Sequence, residues 1–141
     1  MKTISFTIDA VPVPKGRPRF SRSGHAYTPE KTRAYERLIA LTAKMAIIGE
    51  TGIDLNAPVS VDMVFYMPIP KSWSKKKIAD AIAGRIKHTK RPDRDNLEKI
   101  FYDGCNGILW KDDAQIFSGK SEKLYSDHPR TEATVTYFES E

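Results

Sequence analysis

The sequence predicts an α+β fold in which a small mixed β-sheet carries its helices on one face. Alternating apolar residues indicate strands near both ends and in the middle of the chain, and segments of helical periodicity lie between them. The predicted order is strand, helix, strand, helix, helix, strand and strand. A chain of 141 residues suits one core, so we expect a single domain over residues 1–141.

The first strand is expected at residues 4–8, where Ile4, Phe6 and Ile8 alternate with polar residues. A loop over residues 11–27 follows, because prolines and glycines exclude regular structure over much of it. Arginine forks match phosphate oxygens in a bidentate way, so we expect this loop to clamp a phosphate backbone such as that of DNA. The alternative is a solvated basic loop. Its basic residues are Lys15, Arg17, Arg19 and Arg22.

The first helix is expected to begin with Thr28 as N-cap and Pro29 in its first turn, and to end at Gly49. An apolar stripe along this helix is expected to pack into the core: Leu38, Leu41, Met45 and Ile48. A central strand over residues 59–67 comes next. A short helix over residues 75–83, capped by Ser72 or Ser74, follows it.

Carboxylates concentrate between residues 91 and 115, although the chain carries 23 Lys and Arg against 18 Asp and Glu. Asp93 and Asp95 lie at the predicted start of a helix, and two nearby carboxylates repel unless a cation lies between them. Mg²⁺ binds oxygen ligands, typically one or two carboxylates with water and substrate phosphate oxygens. The window therefore predicts a metal site. In the alternative, Asp93 or Asp95 caps the helix and Asp95 pairs with Lys99 on the surface.

The helix that begins near Asp95 has two different faces at about 100° per residue. One stripe is apolar and should face the core: Leu97, Phe101, Gly104, Cys105 and Ile108. Polar residues lie on roughly the opposite side: Asp95, Lys99, Asp103 and Asn106.

A basic stretch precedes the acidic window and should neutralise phosphates of a bound nucleic acid, with a solvated face as the alternative. Its members include Lys87, Lys90 and Arg91, with His88 placed near DNA. After the helix, Trp110 should pack inward and Asp112–Asp113 should form a turn before two strands, at residues 116–125 and 132–138. This turn would bring Asp113 to Asp93 and Asp95. The alternative is an ordinary polar turn with an Asx hydrogen bond.

Two motifs carry a family resemblance. The first is Asp93-x-Asp95-Asn96-Leu97-x-Lys99 with Phe101-x-Asp103, and the second is Trp110-x-Asp112-Asp113-Ala114-Gln115. Together they resemble the signature of the RusA family of Holliday-junction resolvases, most clearly from residue 58 onward. The resemblance implies a RusA-like fold, metal-binding roles for Asp93, Asp95 and Asp113, and a catalytic role for Lys99. It also implies possible supporting positions at Asp103 and Asp112.

The resemblance further implies a homodimeric endonuclease that resolves Holliday junctions by paired symmetric nicks in DNA recombination and repair. Its expected cofactor is Mg²⁺, for which Mn²⁺ should substitute, and its expected partners are a four-way junction and a second copy of the chain. Two alternatives stay open. One is a nuclease that acts on flaps or replication forks, and the other is a non-catalytic DNA-binding module.

Composition agrees with a nucleic-acid partner, because the net charge of +5 favours polyanions.

Cys105 is the only cysteine, so a disulfide framework and a cysteine zinc site are excluded, and a buried, inert thiol is expected. The sequence shows no signal peptide and no apolar run of membrane length. We therefore expect a cytoplasmic protein, of a bacterium or of a phage in its host, that does not bind membranes.

Overall fold

The computed structural model describes residues 1–16 and 19–139, without the side chains of Arg19 and Tyr27. The strands are β1 (Lys2–Ile8), β2 (Arg19–Phe20), β3 (Ala26–Tyr27), β4 (Val59–Pro68), β5 (Ile116–Ser118), β6 (Ser121–Ser126) and β7 (Arg130–Tyr137). The helices are α1 (Glu30–Ile48), α2 (Lys75–Ile82) and α3 (Arg94–Cys105), with a 3₁₀ turn at Asp113–Gln115. The predicted α+β class is confirmed.

The main sheet has five strands in the order β1, β7 and β4, with β5 and β6 both pairing along the free edge of β4. Strand β7 is antiparallel to β1 and to β4, whereas β5 and β6 are parallel to β4. A parallel pair needs a long crossover, which here includes α2 and α3. The predicted mixed sheet is therefore confirmed, and its parallel half brings the end of β4 and the start of α3 beside β6.

Burial alternates along the central strand as the sequence predicts. Five inward residues of β4 are at most 3% exposed: Val59, Val61, Met63, Phe65 and Met67. Helix α3 buries Leu97, Phe101, Gly104 and Cys105 as predicted, together with Ile100. Because α3 ends at Cys105, Ile108 lies beyond the helix and is only half-buried. Burial raises the pKa of the Cys105 thiol, which agrees with the inert cysteine that we expected.

The face of α1 that packs into the core differs from the predicted one. Its buried residues are Thr32, Tyr35, Ile39 and Ala43, and Tyr35 reaches the sheet through a 3.1 Å hydrogen bond between its hydroxyl and Thr131 Oγ1. Of the predicted stripe, only Leu38 packs partly against the core. Leu41, Met45 and Ile48 are 59%, 66% and 79% exposed. Two stripes compete on this helix, and the one that includes the Tyr35–Thr131 contact faces the sheet.

The ends of the helices were predicted with mixed success. Pro29 takes the N-cap position of α1 without a side-chain hydrogen bond, so the prediction of Thr28 as N-cap was wrong. Gly49 is the C-cap of α1, as predicted. Ser74 caps α2 by accepting a hydrogen bond from Lys77 N at 3.2 Å, which confirms one of the two predicted caps.

The N-terminal loop contains more regular structure than its prolines suggest. Strands β2 and β3 pair in an antiparallel hairpin, whose turn contains Gly24 at φ 84°. The residues before the hairpin are attached to α3 by a 3.0 Å hydrogen bond from Lys15 N to Asn96 O. Within the part of the chain that is described, no helix is both long enough and apolar enough to cross a bilayer.

Candidate active site

Asp93 and Asp95 line the same surface depression at the start of α3. The depression has a volume of about 550 Å³ and is also lined by His88, Arg94, Glu98, Glu122 and Lys123. Asp93 holds the N-cap position, yet its carboxylate makes no capping hydrogen bond. Asp95 Oδ1 accepts a 3.0 Å hydrogen bond from the neighbouring Asn96 N. Sequence reasoning therefore placed this pair of carboxylates correctly side by side.

The uncapped state of Asp93 bears directly on the capping alternative. An N-cap aspartate stabilises a helix by about 1 kcal/mol because its carboxylate accepts a hydrogen bond from the first turn. Asp93 occupies the position but does not make this bond, so α3 gains only the weaker attraction between a carboxylate and the helix dipole. Capping does not explain why the carboxylate is there.

Two glutamates at this depression were missed by the sequence analysis. Glu98 lies one turn after Asp95 on the same side of α3, and its Oε1 accepts a 2.8 Å hydrogen bond from Ser121 Oγ. Helical spacing from Asp95 would have indicated it. Glu122 reaches the depression from β6. No signal in the sequence predicts Glu122, because its position depends on the parallel pairing of β6 with β4.

Lys123 supports the turn that leads into Asp93. Its Nζ donates to the carbonyl oxygens of Lys90 and Pro92, at 2.8 and 2.9 Å. Arg94 makes a weaker attachment to the same strand, since its Nη1 lies 3.3 Å from Ser121 O. Strand β6 therefore positions the turn before Asp93 through Lys123, although the two segments lie about thirty residues apart in the chain.

Asp113 is held in a different place from Asp93 and Asp95. Its Oδ1 accepts a 2.7 Å hydrogen bond from the indole nitrogen of Trp110, which is fully buried as predicted. It does not line the depression that Asp93 and Asp95 share. Burial, followed by the negative charges of Glu98, Asp113 and Asp62, raises the pKa of Tyr102 to about 12. Asp113 thus acts on Tyr102, a residue in the second half of α3, rather than on the start of that helix.

Asp112 has the structural role that we gave as its alternative. Its carboxylate caps the 3₁₀ turn by accepting a 2.8 Å hydrogen bond from Ala114 N. Gln115 completes the capping box, because its Oε1 accepts hydrogen bonds from Lys111 N and Asp112 N at 2.9 Å each. Gln115 also donates to Leu55 O and Ala57 O, which attaches the turn to the start of β4. The WxDDAQ motif therefore builds a rigid turn that presents Asp113.

Asp103 and Lys15 form a structural contact between the N-terminal loop and the helices. Lys15 Nζ lies 2.8 Å from Glu36 Oε1 and 3.2 Å from Asp103 Oδ2. Partial burial opposes the charge on Lys15, but hydrogen bonds to Glu36 and Asp103 outweigh it and raise the pKa of the ammonium group. Asp103 thus attaches the loop to α3, and the Lys15 ammonium is already neutralised by two carboxylates.

Lys99 is exposed on the polar side of α3, as predicted. In the described part of the chain it makes no ion pair, either with Asp95 or with another carboxylate. The surface pair that we gave as an alternative is therefore not formed. Lys99 does not line the Asp93 depression, and its catalytic role stays a prediction.

Lys15 is neutralised by its two carboxylate partners, and the other six predicted DNA-binding residues fall into three groups. Lys90 and Arg91 are exposed and line a groove of about 920 Å³ that Asp93 also lines. Lys87 and Arg22 are exposed but do not line this groove. The side chain of Arg19 and the whole of Arg17 lie outside the described residues, so the predicted contacts of this pair with DNA stay predictions.

The donor atoms at the start of α3 fit a hard cation, because carboxylate oxygens predominate there. Among the residues that the structure describes, no three His, Cys, Asp or Glu side chains stand together as a ready-made metal-binding group. The pair of Asp93 and Asp95 matches the way in which Mg²⁺ is usually held, by one or two carboxylates with water and substrate phosphate oxygens completing its coordination.

Comparison with known proteins identifies the family of the chain. The chain matches the family described as "Endodeoxyribonuclease RusA" over residues 9–136, which includes both aspartate motifs. It belongs to the RusA family of endodeoxyribonucleases, whose members act on branched DNA junctions. It is also 38% identical over 140 residues to YqaN, an uncharacterized protein of Bacillus subtilis (strain 168), with 96% of each chain covered.

Proposed function

We propose that the protein is a Mg²⁺-dependent, structure-selective DNA endonuclease that resolves four-way junctions by paired symmetric nicks during recombination and repair. Its family supports nuclease activity on branched DNA. The observation that carries the metal-dependent step is the carboxylate of Asp93, which holds the N-cap position of α3 without capping it and shares a depression with Asp95.

Asp93 and Asp95 are the residues that would hold Mg²⁺, with Mn²⁺ as a substitute. Asp113 lies outside the depression that they line, so its remaining carboxylate oxygen would join the set only when bound metal and DNA draw the two segments together. When bound, the cation polarises the scissile phosphate and lowers the pKa of an attacking water. Trp110 keeps the Asp113 carboxylate in one orientation, as an outer hydrogen-bond partner commonly does for a metal-binding residue.

The basic residues around the carboxylates bind and orient the DNA backbone. Lys90 and Arg91 lie next to Asp93 along the groove, where their charges neutralise phosphates on either side of the cleaved bond. Lys99 stabilises the negative charge that develops on the phosphate. Its freedom from ion pairs within the described residues leaves its ammonium group available for this role.

The direct test is cleavage of a labelled synthetic four-way junction in the presence of Mg²⁺. We expect paired nicks at symmetric positions, with no cutting of a linear duplex of the same sequence and no cutting when EDTA removes the metal. Efficient cleavage of flap or fork substrates beside the junction would broaden the substrate class. Binding without any cleavage in Mg²⁺ or Mn²⁺ would refute the proposal in favour of a non-catalytic DNA-binding module.

Two symmetric nicks require two active sites, so the active form in this proposal is a homodimer. The exposed stripe of α1 supports it, because Leu41, Met45 and Ile48 are spaced so that they share one side of the helix. A two-fold axis would place this stripe against the same stripe of the second copy. Burial of three large apolar side chains gives the contact a hydrophobic centre.

Met45→Glu is expected to dissociate this dimer, because the two-fold axis brings two unpaired carboxylates together in an apolar contact. Such a like-charge contact costs several kcal/mol, on the order of a hundredfold in the dimer dissociation constant. Sedimentation equilibrium should show the wild type near twice the chain mass of 16.0 kDa and the variant near that mass itself. Ile82→Glu is the matched control, since Ile82 is 51% exposed on α2. If Met45→Glu stays dimeric, α1 does not form the dimer interface.

A further inference from the structure

A groove beside the Asp93 depression has a chemical character that phosphate binding does not explain. Five prolines contribute to its walls, and we name it the proline groove: Pro12, Pro14, Pro68, Pro70 and Pro92. Met67 and Tyr125 add further apolar surface, while Lys31, Lys90 and Arg91 contribute cations to its lining. Apolar walls together with cations match a nucleotide, which has a flat apolar base and an anionic phosphate.

The proline groove is continuous with the candidate metal site. His88 and Asp93 line both the groove and the depression that holds Asp95. A nucleotide whose phosphate lies at Asp93 can therefore direct its base into the groove. With a volume of about 920 Å³, the groove is of the size that proteins use for small ligands and much too small for a duplex.

His88 is held in the groove by aromatic contacts rather than by hydrogen bonds. Its ring centroid lies 4.8 Å from that of Tyr125, and the Tyr125 ring lies 5.2 Å from the Trp73 ring. Its Nδ1 is buried without a hydrogen-bond partner in the described residues, an uncommon state for a buried polar atom. The ring of His88 is therefore positioned by its packing against Tyr125.

Asn96 provides the groove with a polar group suited to the edge of a base. It follows Asp95 directly, it lines the groove, and its side-chain amide makes no hydrogen bond to the described residues. Its backbone carbonyl is already used by Lys15 N. A side-chain amide offers a donor and an acceptor together, which is the pairing that base edges require.

We propose that the proline groove receives one unstacked base from the nucleotide next to the scissile phosphate, with His88 as its stacking platform. This inference rests on the proposed nuclease function and adds a binding site for a base to it. Unstacking a base is least costly where pairing is already disturbed, as it is at a branch point. The groove would therefore favour cleavage close to the branch.

Junctions with a single abasic nucleotide test this site. The nick is first mapped with the wild type, and the abasic nucleotide is then placed at each of the two positions on either side of it. We expect one of these positions to slow cleavage roughly tenfold, the size typical of a base–aromatic contact. His88→Ala should slow cleavage of the normal junction by a similar factor, and the abasic nucleotide should then have little further effect.

His128→Ala is the matched control, because His128 is exposed, pairs with Asp9 at 2.8 Å and lies outside the groove. It should retain both the normal rate and the full abasic effect. His88→Phe keeps a ring against Tyr125, so it should recover most of the abasic effect. Such recovery would show that the loss in His88→Ala is not caused by misfolding. The inference is overturned if no position is sensitive, if the effects of His88→Ala and the abasic nucleotide multiply, or if His88→Phe behaves like His88→Ala. Absence of cleavage from every junction would instead refute the proposed function.

Discussion

Asp95→Asn should lower the rate of junction cleavage more than about a hundredfold, because even an outer hydrogen-bond partner of a metal site is worth 10- to 100-fold. The amide keeps the shape of the side chain and can still accept the hydrogen bond from Asn96 N. It removes the charge that the cation requires. Binding of the junction should stay intact or become tighter, since a negative charge near the phosphates is lost. Cleavage rates and gel-shift titrations on the same preparation measure both quantities.

Asp127→Asn provides the matched control for this charge change. Asp127 is an exposed aspartate in the turn between β6 and β7, so its substitution alters the net charge by the same amount without touching α3. It should leave cleavage unchanged. If Asp95→Asn cleaves as fast as this control, the metal-binding role of Asp95 is wrong, and the carboxylate is a surface group at a helix start.

Gly104→Ala should destabilise the fold by about 1–3 kcal/mol, the usual cost of overpacking a core. A Cβ added to Gly104 would lie 2.7 Å from Ile39 Cγ2, 2.9 Å from Ile39 Cβ and 3.2 Å from the carbonyl oxygen of Glu36. The close packing of α1 on α3 depends on this missing side chain. In an isolated helix, the same change would be stabilising by about 1 kcal/mol, so the clash decides the sign. Urea unfolding followed by circular dichroism measures the free energy of unfolding.

Gly49→Ala is the control for the chemical change itself. Gly49 ends α1 with φ −89°, and a Cβ there would meet no atom within 4 Å, so its free energy of unfolding should change by less than about 0.5 kcal/mol. Combining Gly104→Ala with Ile39→Ala tests whether the clash with Ile39 is the cause. The double variant should lose less free energy of unfolding than the two single variants lose together. Full additivity would show that Ile39 is not the residue that excludes a side chain at Gly104.

Much of the candidate site could be predicted because its parts are close in sequence. Asp93 is the extended N-cap residue just before α3 and Asp95 lies in the first turn, so the carboxylate of Asp93 can reach back toward that of Asp95. The role of Trp110 was also accessible, since a large apolar residue before a polar turn is expected to pack inward. The position of Asp113 was not, because Asp113 lies outside the depression beside Asp93 and Asp95, and its hydrogen bond to Trp110 depends on the direction in which the buried indole nitrogen points.

Strand periodicity was a reliable guide to the sheet, but helical periodicity was misleading for α1. Every second residue of β4 is buried, and only one phase of the alternation is strongly apolar. Helix α1 carries apolar residues on more than one side, so the pattern alone does not choose between them. The choice follows from contacts with distant residues, such as the hydrogen bond between Tyr35 and Thr131 and the packing of Ile39 on Gly104.

By itself, the sequence determined the α+β class, the central strand, the start of α3 with its aspartate pair, and the family to which the chain belongs. Each depends on residues close together in the chain, where spacing alone settles which side chains meet. Only the tertiary structure decided the exposed stripe of α1, the pairing of Lys15 with Asp103, and the arrival of Glu122 and Lys123 beside Asp93. These depend on the parallel pairing of β6 with β4 and on the packing of α1 against α3, which bring distant segments of the chain together.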